Sequence, residues 1–212
     1  MLPCAPGEDF TVTGIYLGNR RSGITYHSIG VNGAALPDYL DKCPHFTQDL
    51  RLLRPDLVVF GIGINDASGT NFDTAQFRLN YLRLVDSIRS VNPDCAFLFI
   101  TNNDSFRKVR RRTYNVNRNG LLAREVFYRL AEETGGVLWD QFEVMGGLKS
   151  MDQWRLAKLA QRDRVHFTRA GYELVADLLT NAIFESYNTH VARKPRNNPQ
   201  PSPDERYRYI SY

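Results

Sequence analysis

Two apolar runs, Leu57 to Ile62 and Cys95 to Ile100, restrict what this chain can fold into more than any other feature. Each has the length of a strand and no alternation of polar side chains, the pattern of a parallel strand buried on both faces. Between them Phe77, Tyr81, Leu84, Val85 and Ile88 recur at steps of three and four, so Asp73 to Val91 is expected to be an amphipathic helix. Asn92-Pro93-Asp94 stops it. Strand, helix, strand in that order is a βαβ unit, and its crossover makes the strands parallel.

The alternation continues along the chain. Ala34 to Leu53 reads as helical with a break at Pro44, and Leu121 to Glu133 is helical and closed by Gly135-Gly136. Val137 to Asp140 is a short strand, and Met151 to Gln161 and Thr168 to Tyr187 are the last helices. In the final helix Tyr172, Val175, Leu179 and Ile183 share one face. Phe10 to Leu17 and Ile24 to Ile29 are β-prone. The expected architecture is α/β, three-layer, with a parallel sheet.

Size and charge narrow the function classes. A chain of 212 residues with 42 % hydrophobic and 24 % charged residues is one globular domain of ordinary size. Its longest apolar stretch, Leu57 to Ile64, falls short of the ~20 residues of a membrane span. The first nine residues have neither a basic nor an apolar region of the kind a signal peptide uses, which predicts none in this sequence and leaves the compartment open. Net charge is +4, but Arg193, Lys194, Arg196, Arg206 and Arg208 stand against only Asp204 and Glu205 after Thr189. The body is therefore nearly neutral, which argues against non-specific nucleic-acid binding by it. From Arg193 onward four prolines with Asn, Gln and Ser predict a disordered basic tail. Cys4, Cys43 and Cys95 form no C-x-x-C pair, so neither a disulfide framework nor a zinc site is expected.

In an open parallel sheet, ligands bind at the carboxyl ends of the strands, and three segments put polar groups there. Gly61-Ile62-Gly63-Ile64-Asn65-Asp66 follows the first apolar run; in isolation an Asn-Asp there reads as a turn or helix cap. Gly30-Val31-Asn32-Gly33 opens a helix, where glycines free backbone N–H groups to face an anion, or simply make a tight turn. Asp163-Arg164-Val165-His166-Phe167-Thr168 precedes the last helix. A carboxylate three residues before a histidine can receive the imidazole Nδ1–H and leave Nε2 as a general base; the plain alternative is a capping Thr168 beside a surface ion pair. The basic run Arg107 to Arg112 resembles a nucleic-acid patch, with a solvated rim or a contact to a polyanionic glycan as the alternative.

Taken together, Gly33, the G-x-N-D of Gly63 to Asp66 and the D-x-x-H of Asp163 to His166 resemble, in order and placement, the SGNH (GDSL-like) hydrolases. The likeness spans residues 24 to 187 and looks closest to the C-terminal part of large bacterial acylhydrolases of this kind. It implies a flavodoxin-like three-layer fold and a serine mechanism on ester bonds, plausible substrates being small acyl esters or O-acetyl groups on a glycan. It implies His166 as base, Asp163 as its orienter, and Gly33 and Asn65 as oxyanion donors, with no metal or organic cofactor. The departure is the nucleophile. No Gly-Asp-Ser occurs in the sequence. Asn103-Asp104-Ser105 comes after G-x-N-D, so Ser105 is not nominated, and Ser22 and Ser28 lack a small-residue turn. The expectation is a partial hydrolase domain over 23–190, without the serine-bearing first strand. Residues 1–22 would then end an inserted β domain, and 191–212 would be the tail. A nucleophile-less pseudoenzyme or glycan-binding remnant, and a nucleic-acid-interacting basic domain, stay open as alternatives.

Overall fold

The computed structural model describes residues 22–111 and 113–193. The β-prone run Phe10 to Leu17 and the chain from Lys194 onward lie outside these residues. Contacts group the chain into two units, and Gly30–Lys194 holds every helix and strand described. Residues 22–29, in the other unit, carry neither. The strand expected over Ile24 to Ile29 is therefore not formed: Ile24 is 98 % and Tyr26 83 % exposed. β-propensity alone does not make a strand; it needs a neighbouring ladder and a surface to pack on.

The helical stretch before the first apolar run divides at Pro44 into α1 (Leu36–Asp41) and α2 (Phe46–Leu53). Then come β1 (Leu57–Phe60), a 3₁₀ turn at Asp66–Ser68, α3 (Thr74–Arg89) and β2 (Ala96–Ile100). Asp73 caps α3 by accepting the N–H groups of Ala75 and Gln76 at 2.9 and 3.0 Å, a role for which its short carboxylate is suited. The basic run forms an antiparallel hairpin, β3 (Phe106–Arg110) and β4 (Thr113–Val116). The chain continues through α4 (Asn119–Thr134), β5 (Val137–Trp139), α5 (Gln141–Val144), α6 (Ser150–Leu156) and α7 (Arg169–Arg193). Gly135, at φ +64°, closes α4 in the left-handed conformation that a side chain resists.

The sheet is parallel in the order β1-β2-β5, with Phe60 beside Phe99 and Phe99 beside Leu138. One face is covered by α3 and α4. There Phe60, Phe97 and Phe99 stack, and Phe77, Tyr81 and Phe127 meet each other edge to face. Phe99, Tyr81 and Phe127 are fully buried, so truncating any of them to alanine costs about 3–5 kcal/mol. Tyr81 also donates its hydroxyl to the carbonyl of Ile62 at 2.5 Å, tying α3 to the end of β1.

Among the described residues β2 is the central strand and β1 pairs on one side only. Two expectations change. The opposite sheet face is covered only in part: Leu98 and Trp139 are buried, but Leu57, Val59 and Val137 are about half exposed or more. An apolar run thus marks a strand without fixing that both faces are covered. The last helix extends past Tyr187 to Arg193, and Ile183, Phe184 and Tyr187 are exposed while Val175 packs on a second core with Phe106, Met145, Met151, Ala160 and Phe167. No helix among the described residues is long and apolar enough to cross a membrane.

Candidate active site

Of the polar segments singled out in the sequence, Gly61 to Asp66 follows the carboxyl end of β1, while Gly30 to Gly33 precedes α1 and Asp163 to Thr168 precedes α7. Beyond β1, Gly63 turns at φ +119°, and a Cβ there would lie 2.9 Å from the Phe77 ring and 3.2 Å from Asn102 Oδ1. Only glycine passes between that ring and the end of β2. Past it, Asn65 donates its side-chain Nδ2 to the carbonyl of Ala34 at 2.8 Å. Asp66 accepts the backbone N–H of Leu36 at 3.1 and 3.2 Å through its two oxygens. These consecutive residues hold the chain on either side of Ala35, and Gly33, at φ +75° and exposed, directly precedes the Ala34 whose carbonyl Asn65 binds. Asp66 does cap a helix, but the helix is α1, thirty residues upstream. Burial pushes the Asp66 carboxyl above its ordinary value, against the pull of the backbone N–H groups it accepts.

The second pair forms on the loop before α7. His166 Nδ1 lies 2.8 Å from Asp163 Oδ2. Asp163 Oδ1 meanwhile accepts the backbone N–H groups of Val165 and His166 at 2.9 and 3.1 Å. Burial works against the charge of Asp163, but the His166 ring and those two N–H groups outweigh it and hold the carboxyl below its ordinary value. Asp163 is therefore ionised at neutral pH. It serves as the acceptor that fixes Nδ1 as the protonated nitrogen and leaves the lone pair on Nε2.

What joins the two pairs was not read from the sequence. Asn103, in the loop after β2, donates Nδ2 to the carbonyl of Val165 at 3.0 Å, while its neighbour Asn102 abuts Gly63. The available sign was the polar string Asn102-Asn103-Asp104 directly after a buried strand. Asn102 is buried, and its Nδ2 has no hydrogen-bond partner among the described residues. Ser105 is 5 % exposed, and its Oγ accepts the Asn117 amide at 3.3 Å. Ser28 lies in the exposed stretch 22–29. Trp154 stacks obliquely on Phe167 and donates to the Met145 carbonyl, a core role.

Comparisons with known proteins bear on the fold and on the family. Among solved structures, a peptidoglycan O-acetylesterase superposes with a TM-score of 0.66 at 26 % identity, over 74 % of this chain and 45 % of that one. The chain thus spans less than half of that protein's length. An acetyl xylan esterase gives 0.56 at 22 % identity, covering 73 % of this chain and 79 % of that one. A lipase/acylhydrolase from Enterococcus faecalis gives 0.51 at 23 %, covering 71 % of each. The latter two bear on the fold alone. No curated protein matches the sequence. The model of the GDSL-like lipase/acylhydrolase family matches residues 14–174, a span that takes in Gly33, Asn65, Asp163 and His166. By that match, over most of its length, the chain belongs to the GDSL-like lipase/acylhydrolase family.

Proposed function

We propose that this chain carries the base and oxyanion parts of a serine-type ester hydrolase acting on small acyl esters, acetyl groups on a glycan foremost. The observation that carries the reading is the 2.8 Å contact between Asp163 and His166 Nδ1 on the loop before α7. With Nδ1–H donated to Asp163, the Nε2 lone pair accepts the proton of an attacking hydroxyl, whose oxygen adds to the ester carbonyl. The Gly33 N–H and the second hydrogen of the Asn65 amide, whose first is engaged by Ala34, stabilise the resulting oxyanion. Each such donor is worth about 10²–10³ in rate. Imidazolium then protonates the leaving alcohol, and water removes the acyl group by the same steps in reverse. The acetyl preference is supported by the 26 % identical peptidoglycan O-acetylesterase.

The attacking serine is not assigned, because no Gly-Asp-Ser occurs in the sequence and Ser105 is buried. That absence also favours a second reading, a glycan-binding domain without turnover. The test is p-nitrophenyl acetate hydrolysis by the purified chain, by a form with a Gly-Asp-Ser-bearing strand fused ahead of it, and by His166→Ala variants of both. The chain alone is expected to give only the residual catalysis of a triad lacking its serine, about 10³–10⁴-fold over water. The fused form should gain turnover that His166→Ala removes. Vigorous hydrolysis by the unfused chain would reveal a nucleophile within it. A gain insensitive to His166 would overturn the base assignment, and no gain at all would favour the binding domain.

A further inference from the structure

Between Phe106 and Arg118 the sequence holds Arg107, Lys108, Arg110, Arg111, Arg112 and Arg118 and not one acid. Lys108, Arg110, Arg111 and Arg118 are exposed. None of these four, nor Arg107, takes part in an ion pair among the described residues. Like charges crowded onto one short hairpin repel each other, and no ion pair among the described residues offsets them. Such a cluster gains most from an external anion.

The hairpin is held rigidly beside the candidate site. Phe106 N donates to the Arg164 carbonyl at 3.0 Å, between Asp163 and His166 in sequence. Arg107 reaches the Gly69 carbonyl at 3.2 Å, and Asn117 and Asn119 each donate to the Ala67 carbonyl at 3.0 Å, just past Asn65 and Asp66. Its base is thus bonded to both segments that supply the proposed chemistry. Its inner face is spent on packing: Phe106 is buried, and the Arg164 guanidinium lies over the Phe106 and Tyr114 rings at 5.2 and 4.7 Å.

That inward packing bears on what the anion is. Single-stranded nucleic acid is gripped by cations together with aromatic faces on which bases stack, and here both hairpin rings are already covered by Arg164. What the hairpin exposes instead is cations with Thr113, Asn115 and one aliphatic side chain, Val109. Guanidinium forks pair with carboxylates, and hydroxyl and amide groups bond sugar hydroxyls. We propose that the β3–β4 hairpin is a docking arm for an anionic glycan bearing carboxylates along its chain, and that it delivers the esters of that polymer to the site beneath. The delivery rests on the ester-hydrolase reading; the binding does not.

The experiment titrates the intact chain with polygalacturonate, neutral xylan and a thymidine oligonucleotide, and repeats it with Lys108→Glu/Arg110→Glu/Arg111→Glu. These side chains are exposed, and an unchanged melting temperature confirms that the variant folds; a Gln triple variant replaces it if it does not. Polygalacturonate is expected to bind, more weakly as salt rises, and the variant to lose about tenfold or more in affinity. Equal binding of xylan, undiminished binding by the variant, or no binding of polygalacturonate would overturn the proposal. Tighter binding of the oligonucleotide at the same salt would make the hairpin a nucleic-acid surface and would overturn it too. Hairpin-dependent binding without His166-dependent hydrolysis in the serine-fused form leaves the arm standing and removes the ester reading. Hydrolysis without hairpin-dependent binding does the reverse.

Discussion

Gly171→Ala sets two opposing effects against each other. The residue lies in the first turn of α7, where alanine is the better helix former by about 1 kcal/mol. It is also buried, and a Cβ built on it falls 1.9 Å from the Leu159 carbonyl oxygen, 2.9 Å from the carbon of that carbonyl and 3.0 Å from the Phe167 Cβ. The oxygen belongs to the backbone and is engaged, accepting the Thr168 N–H at 2.9 Å, so it has no rotamer by which to move aside. Overpacking costs about 1–3 kcal/mol, and a backbone clash this close belongs at the top of that range. The net loss is about 2 kcal/mol, or roughly 4–8 °C in Tm for a chain of this size. Scanning calorimetry should show it, with Gly61→Ala as control, since a Cβ at Gly61 meets nothing within 4 Å. A Gly171→Ala protein that melts at or above the parent temperature would refute the clash argument and with it the close seating of α7 on Leu159.

Asp66→Ala should lose about 1–3 kcal/mol in urea unfolding because the Leu36 N–H is left without its acceptor, whereas Asp66→Asn keeps an accepting oxygen, sheds the buried charge and should lose far less. The lowered carboxyl of Asp163 contributes stability that is whole above the ordinary carboxylate value and is lost as pH falls through its folded value. The stability gap between parent and Asp163→Asn, followed by chemical denaturation, should therefore shrink as pH falls below about 4. Arg164 holds φ +59° without being glycine; Arg164→Ala keeps that conformation and loses the ring contacts, so it should be less stable than Arg164→Gly by about 0.5–1 kcal/mol.

The α/β succession was legible because its elements repeat at fixed periods. Asp73 to Val91 and Leu121 to Glu133 became α3 and α4 within a residue or two at each end, their apolar stripes matching the face they bury. The Asp163 to His166 contact was legible too, since the partners are three residues apart and local geometry alone closes it. Burial of β1 was not. Whether Leu57 and Val59 are covered depends on what lies beside and above them, which no local window contains. The β3–β4 hairpin was missed because five cations hide the two aromatic side chains and Val116 that fix its register. The link from Asn103 to Val165 joins residues 62 apart in sequence and has no periodic trace.

The loop that holds the proposed base is fixed by backbone rather than by the side chains that do the chemistry. Gln161 N bonds the His166 carbonyl at 2.8 Å, Ala160 bridges Phe167, and Thr168 Oγ1 bonds the Lys158 carbonyl at 2.9 Å, so the loop is a closed antiparallel turn. Its reversal falls at Arg164, in a left-handed conformation that costs a residue with a Cβ about 1–2 kcal/mol. That turn folds Asp163 back over the N–H groups of Val165 and His166. It is sustained from outside the loop, by the Phe106 and Tyr114 rings beneath the guanidinium and by Asp152 at 3.3 Å. The same arginine therefore sets the curvature that pairs Asp163 with His166 and clamps the hairpin that carries the basic arm. Position of the base and position of the arm are coupled through one side chain, and a substitution at Arg164 disturbs both together.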